Sequence, residues 1–287
     1  MDVTYILQQT ILGLAIGLTF SMVAIGFSLT FGLSKVINLA HGAFYALGTY
    51  LTFAAMHLTN NFGLSLIVST VSIGLASLLV EKILVNKLYG KDIDLSLIVT
   101  FSTLLVVSTM IKIVWGLDPK SVSPPQFLTT QIYVAGTTLP VYYLFLATCS
   151  LVLFIFVWAV INKTMLGRVI KAGSEDKDRV ETLGINMGRV FTINYVFGGM
   201  LAALGGGLMA PLISIEPSIG SRIILLCFAV VVVGGMGSIF GTMLAGIIIG
   251  LSISYVTMFN APMSEAAAYL VMALFLLIRP KGLLGTG

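Results

Sequence analysis

Two stretches of this 287-residue chain carry side chains able to do chemistry. The first is Gly32-Leu-Ser-Lys35-Val-Ile-Asn38-Leu-Ala-His41-Gly42, lying between two apolar runs. It is too short and too apolar for an ordinary exposed loop, yet it holds Lys, Asn and His. Polar backbone at membrane depth is tolerated only where protein or a water-filled cavity satisfies it. Asn38, His41 and Gly42 therefore admit two readings. One is a broken helix whose free polar groups line a translocation pathway. The other is a tight turn at the cytoplasmic surface, with Lys35 among headgroups and His41 capping the next helix. Intramembrane Asn and His also act as hydrogen-bonding glue between helices without touching a substrate.

The second stretch is residues 163–189, the one charged island in an oily chain. It holds six of the fifteen Lys and Arg and four of the eleven Asp and Glu. Within it, residues 174–184 read as a short amphipathic helix. Ser174 is the expected N-cap, Glu175 and Asp176 supply first-turn acids, Val180 and Leu183 share an apolar face, and Gly184 is the stop. Such a helix is either a docking knob for a partner in water or a solvated loop.

Other chemistries find little support. No Gly-x-x-x-x-Gly-Lys-Ser/Thr phosphate loop occurs, and no soluble segment is large enough to hold a nucleotide. If transport is driven, the drive comes from a partner. No span carries a row of Asp, Glu or Arg, which argues against an ion pump, a proton relay or a voltage sensor. No Ser-His, Asp-Asp or His-Glu pair falls at helical spacing within a span, so no catalytic residues are expected. The two His have no carboxylate at ligand spacing, so no metal site is expected. Cys149 and Cys227 lie in apolar runs and read as small packed hydrophobes. Glu216, Arg222 and Glu265 read as interfacial charges on the outer side, useful at most for docking something there.

These residues must be positioned by membrane spans. The chain is 58% hydrophobic and 9% charged, with a mean hydropathy of +1.07. A soluble domain has roughly 25% charged residues. Residues 1–4 include Asp2 and no basic residue, so the first apolar run is expected to be a retained span rather than a signal peptide. Apolar runs cover about 5–33, 36–58, 64–85, 95–115, 140–161, 190–213, 222–235, 238–257 and 265–278, giving eight or nine segments in an all-α polytopic bundle. The loop distribution of Lys and Arg places 163–189, 82–94 and Arg279–Lys281 in the cytoplasm and 116–139 outside. Parity then makes 222–235 and 238–257 cross separately and puts the N-terminus outside. Small-residue motifs such as Gly13-x-x-x-Gly17 and Gly246-x-x-x-Gly250 are expected chiefly to pack helices within the molecule.

The residues Gly167-Arg168-Val-Ile-Lys-Ala-Gly173 through Glu175-Asp176, then Leu183-Gly184-Ile185-Asn186 and Arg189, resemble the cytoplasmic loop of ATP-binding-cassette importer permeases. More specifically, with Asn38-Leu-Ala-His41-Gly42, Val233-Gly-Gly-Met-Gly237 and Arg279-Pro-Lys-Gly282, they resemble the shorter of the two branched-chain amino-acid permeases of the high-affinity leucine, isoleucine and valine system. The resemblance covers the chain from end to end as one permease domain, 1–287. The family commonly has Phe where this chain has Leu39, and often Glu where it has Ala43.

What the resemblance implies is a multi-pass subunit of the bacterial inner membrane, paired with a homologous permease or a second copy of itself. Two cytoplasmic ATP-binding subunits and an extracytoplasmic substrate-binding protein complete the importer. ATP is then bound by the partners and this chain needs no cofactor of its own. No nucleic acid is involved. Substrates related in kind are urea, short amides and other amino acids. An ATPase-independent channel is the rival class.

Overall fold

The computed structural model describes residues 3–134 and 136–285. Among them eleven α-helices follow in order: α1 (Val3–Ser34), α2 (Ala40–Thr59), α3 (Phe62–Ile83), α4 (Ile93–Trp115), α5 (Val141–Lys163), α6 (Met165–Glu175), α7 (Lys177–Thr182), α8 (Met187–Met209), α9 (Ile219–Gly234), α10 (Ile239–Thr257) and α11 (Ser264–Ile278). An antiparallel hairpin, β1 (Gln131–Val134) with β2 (Thr137–Pro140), precedes α5. The nine apolar runs coincide with α1–α5 and α8–α11. Seven of these segments are long and apolar enough to cross a bilayer, α9 is a shorter apolar helix, and the Ala-, Gly- and Thr-rich α2 is sheathed by other helices.

The peripheral helices are sorted by size and polarity in a way that suits lipid. On α3 the buried residues Ser65, Ser69, Ile73, Ser77 and Glu81 recur every four positions. Leu64, Ile67, Leu75 and Leu79 point outward. Lipid tails are as apolar as Leu, so burying Leu gains nothing there, whereas small residues let helices approach closely. α4 repeats the pattern with Ser96, Thr100, Leu104, Ser108 and Ile111 inside. Several inward hydroxyls are satisfied within their own turns, as in Ser77 donating to the Gly74 carbonyl at 2.9 Å, whereas those of Thr70 and Ser108 have no partner.

α1 and α8 are the most buried of the long spans, and α2, α3 and α8 all pack against one another. α10 lies along α1 through the expected small-residue faces. A Cβ on Gly17 would fall 2.6 Å from the Gly246 carbonyl oxygen, so both motifs serve contact within the molecule.

The helix ends gather into two groups. At one end lie the α1–α2 junction, the α3–α4 turn at Gly90–Lys91, α6, the α9–α10 turn and the C-terminal segment, where Leu283 and Leu284 donate to the Val233 and Gly234 carbonyls. At the other end Gln8 meets Thr138, Lys120 pairs with Ile215, and Thr10 meets Tyr255. Twelve of the fifteen Lys and Arg fall at the first end, leaving Lys112, Lys120 and Arg222 at the second. This asymmetry is the one the positive-inside rule associates with a cytoplasmic face. The start of α1 lies at the opposite end, in agreement with the loop-charge parity.

Candidate functional site

The α1–α2 junction is a true break. α1 ends at Ser34, and Lys35 takes a left-handed φ of 56°, unusual for a residue with a Cβ, while its N–H caps the Phe31 carbonyl at 2.9 Å. Val36–Asn38 then run back along α1, and α2 starts inside the bundle. The depth follows from His41, whose ring touches Val23 and Gly26. Gly26 lies eight residues before the end of α1, about 12 Å along its axis.

Protein groups satisfy this re-entrant backbone. The Thr100 hydroxyl on α4 accepts from the Leu39 N–H at 3.1 Å and donates to the Ile37 carbonyl at 2.9 Å. Tyr195 of α8 donates to Asn38 Oδ1 at 3.2 Å. His41 Nε2 lies 2.9 Å from the Val23 carbonyl, so that nitrogen carries the hydrogen. Asn38 and His41 are 2% and 1% exposed. Gly42 meets Gly220 of α9 so closely that a Cβ at either position would strike the other's carbonyl. The broken helix is therefore present, but in this conformation Asn38, His41 and Gly42 are locked into α1, α8 and α9 and do not line an open path. His41 Nδ1 and Asn194 Oδ1 are buried without a hydrogen-bond partner, an incomplete satisfaction at the centre of the bundle.

A buried carboxylate next to this network escapes sequence reading. Glu81 is fully buried near the end of α3 and accepts from the Tyr89 hydroxyl at 3.1 Å, while its other oxygen has no partner. Burial, and after it the adjacent Glu81 charge, hold the Tyr89 hydroxyl above its ordinary pKa, so it remains a donor. Beside Lys82, Glu81 looks like one of a pair of headgroup charges. The four-residue repeat from Ser65 to Glu81 was the signal that it faces inward.

The charged island forms two helices rather than one over 174–184. Asp176 adopts an extended conformation (φ −151°) and accepts the Arg179 N–H at 3.1 Å, so it caps α7 and ends α6. Ser174 sits inside α6 with its hydroxyl donating to Lys171 and is not a cap. Val180 is 5% exposed and Leu183 is 77% exposed, so they do not share a face. Gly184 does stop the helix, with φ +81°. Thr164 caps α6 and Asn186 caps α8 in the same way as Asp176, each three residues before the N–H it accepts.

Packing fuses this surface to the core. Gly167 is so close to Ile161 that only glycine fits where α6 turns off α5. Gly173 seats α6 on Met187 and Leu33, and Lys177 lies over the Phe191 ring at 5.8 Å. Arg168, Glu175, Leu183, Asn186 and Arg189 remain exposed at the Lys- and Arg-rich end, Asp176 and Ile185 partly so. A cavity of about 740 Å³ lies beside α6, bounded by Ser28 and Gly32 of α1, Lys171, and Gly237 of the α9–α10 turn. At the outer end Arg222 lies between Glu216 (3.8 Å) and Glu265 (3.6 Å).

A bundle of spans with one fused charged surface and a broken helix is the architecture of a membrane transport permease. The family model described as the permease component of branched-chain amino acid transport systems matches residues 9–279, and the chain belongs to that family. It is 27% identical over 298 residues to the high-affinity branched-chain amino acid transport system permease protein BraD of Pseudomonas aeruginosa, covering 99% of this chain and 97% of that protein. It is also 27% identical over 308 residues to the LivH permease of the corresponding Escherichia coli system, covering 98% and 96%. A shorter match, 33% over 106 residues, reaches the ribose import permease RbsC of Escherichia coli and covers 34% of this chain and 33% of that protein. No solved structure matches.

Proposed function

We propose that this chain is the membrane-spanning permease subunit of an ATP-binding-cassette importer that carries branched-chain amino acids across a bacterial inner membrane. The observation that supports this best is the α6–α7 surface. Its solvent-facing side presents Arg168, Glu175, Leu183 and Arg189, and its inner side is seated on α1 and α8 through Gly173. One residue separates α5 from α6 and one separates α6 from α7, so a push on this surface moves the spans as levers.

In this reading the importer has two cytoplasmic ATP-binding subunits, and residues 163–189 of the single domain 1–287 are where this chain meets them. A second permease, related or identical, completes the pathway, and an extracytoplasmic protein delivers the substrate. Closure of the ATPases rocks α5 and α8, and the Asn38–Gly42 break is the joint that lets α2 move against α1. ATP is consumed only by the partners.

Co-expression with the two ATP-binding subunits tests the docking. Leu183→Asp with Arg189→Glu alters the exposed side and leaves the Gly173 seat intact. The permease is expected at normal levels in the membrane with its ATPases lost on purification. Retention of both ATPases by this variant would place the docking surface elsewhere.

A further inference from the structure

The outer half of the bundle holds a cavity of about 200 Å³. Its walls are apolar: Phe20 of α1, Met209 of α8, and Ile223 and Leu226 of α9, all nearly buried. Tyr45 of α2 also borders it. The charged members of its lining are Arg222 and Glu265, both about half exposed. Drug-sized sites begin at about 300 Å³. This space suits a smaller solute.

The charges are arranged for sharing. Arg222 Nε is 3.6 Å from Glu265 and Nη2 is 3.8 Å from Glu216, both beyond hydrogen-bond length. The guanidinium is thus ion-paired to two carboxylates at distances longer than a hydrogen bond, and its planar fork can exchange these loose pairs for a bidentate bond to an incoming carboxylate. Glu265 can accept from an ammonium. Arg222 lies in the first turn of α9 and Glu265 in the first turn of α11, with the aliphatic wall formed by Ile223, next in the chain, and Leu226, one turn below Arg222. A cation, an anion and an apolar recess complement, respectively, a carboxylate, an ammonium and a branched alkyl group on one carbon.

We propose that this cavity is an acceptor site for a single zwitterionic amino acid with an aliphatic side chain, entered from the outer face. The proposal rests on the transport reading above and adds the place where this chain itself holds substrate. It also gives the site a direction. Phe20 lines this cavity and Ser28 lines the cytoplasmic one. Those residues are eight apart on α1, about 12 Å. Between them lie Val23 and Phe27, with His41 bonded to the Val23 carbonyl and edge-on to the Phe27 ring. The broken-helix joint is thus the plug between an outer and an inner chamber.

The test uses the assembled importer with its ATP-binding subunits but without the binding protein, and equilibrium binding of radiolabelled L-leucine. Saturable binding is expected for the parent. Arg222→Gln and Glu265→Gln should each weaken it about tenfold or more, the scale of one lost charge-assisted hydrogen bond. Arg222→Lys, which keeps the charge and loses the fork, should fall between. Leu226→Trp, which fills the recess, should abolish binding in a complex that still assembles. Leucine amide and 4-methylpentanoate should compete at least tenfold less well than L-isoleucine. Absence of saturable binding to the parent, equal binding by the variants, or equal competition by the two analogues overturns the site. Unchanged leucine binding with uptake lost only in the presence of the binding protein would make these charges a docking patch and also overturns it. ATP-driven uptake by the parent complex is measured in parallel, so failure of the transport reading is seen separately.

Discussion

The Tyr195 hydroxyl donates to Asn38 Oδ1 at 3.2 Å, tying the re-entrant segment after α1 to the middle of α8, 157 residues later. α8 begins at Met187, capped by Asn186, a short turn after the exposed α6–α7 surface ends at Thr182. One hydrogen bond therefore links the helix that leaves the charged α6–α7 surface to the break between the first two helices. Tyr195→Phe removes the donor and leaves Asn38 buried. Intramembrane side-chain hydrogen bonds average about 0.6 kcal/mol. The amount of folded protein should change little, while substrate turnover per ATP hydrolysed should fall. Unchanged coupling in reconstituted vesicles would reduce this bond to packing.

His41 separates hydrogen bonding from volume. His41→Leu removes the bond to Val23, whereas His41→Gln can still donate to that carbonyl. The expected order of transport rates is parent, then Gln, then Leu, with similar membrane levels for all three. Equal rates for Leu and parent would make the junction an ordinary turn.

Glu81 and Tyr89 offer a stability test. Tyr89→Phe leaves a fully buried carboxylate without its one donor. Removing one partner of a buried pair costs about 1–3 kcal/mol, and more when the survivor is charged, while replacing both can be nearly neutral. Tyr89→Phe should therefore lower the thermal unfolding midpoint of the purified permease more than Tyr89→Phe with Glu81→Leu does. A double variant less stable than the single one would show that Glu81 has another use.

Much of this was legible along the chain, and the failures have local causes. The nine apolar helices follow from bulk apolarity, and cations such as Lys91 and Arg168 mark the end of the bundle where most of the charge gathers. Gly184 was readable as a stop because a helix end in the left-handed region favours glycine. Ser174 and Asp176 are both capping types two residues apart, and only the extended backbone at Asp176 decides between them. Asn38 and His41 stand out as polar residues between oily runs. Asn38 is bonded to Tyr195 and Gly42 meets Gly220, both more than 150 residues away, and His41 folds back onto Val23 of α1; no local pattern reveals these contacts. Glu81 was hidden by its neighbour Lys82.

The α6–α7 surface gives a further expectation. Gly184→Pro is incompatible with the observed φ of +81°, because proline is held near −65°. The strain is confined to an exposed turn, so the spans should still fold. Combined with Glu175→Ala, it should abolish substrate-stimulated ATP hydrolysis by the assembled complex at normal expression. Unchanged stimulation would mean that residues 163–189 are a solvated loop.

ATP dependence of uptake tests the central claim most directly. The chain is reconstituted in vesicles with a second permease, two ATP-binding subunits and the binding protein, and radiolabelled leucine is followed inward against its gradient. The account predicts accumulation that requires ATP hydrolysis, with no accumulation by this chain alone. Downhill leucine flux through this chain alone, indifferent to ATP and to the ATPases, would contradict it and make the protein a facilitator.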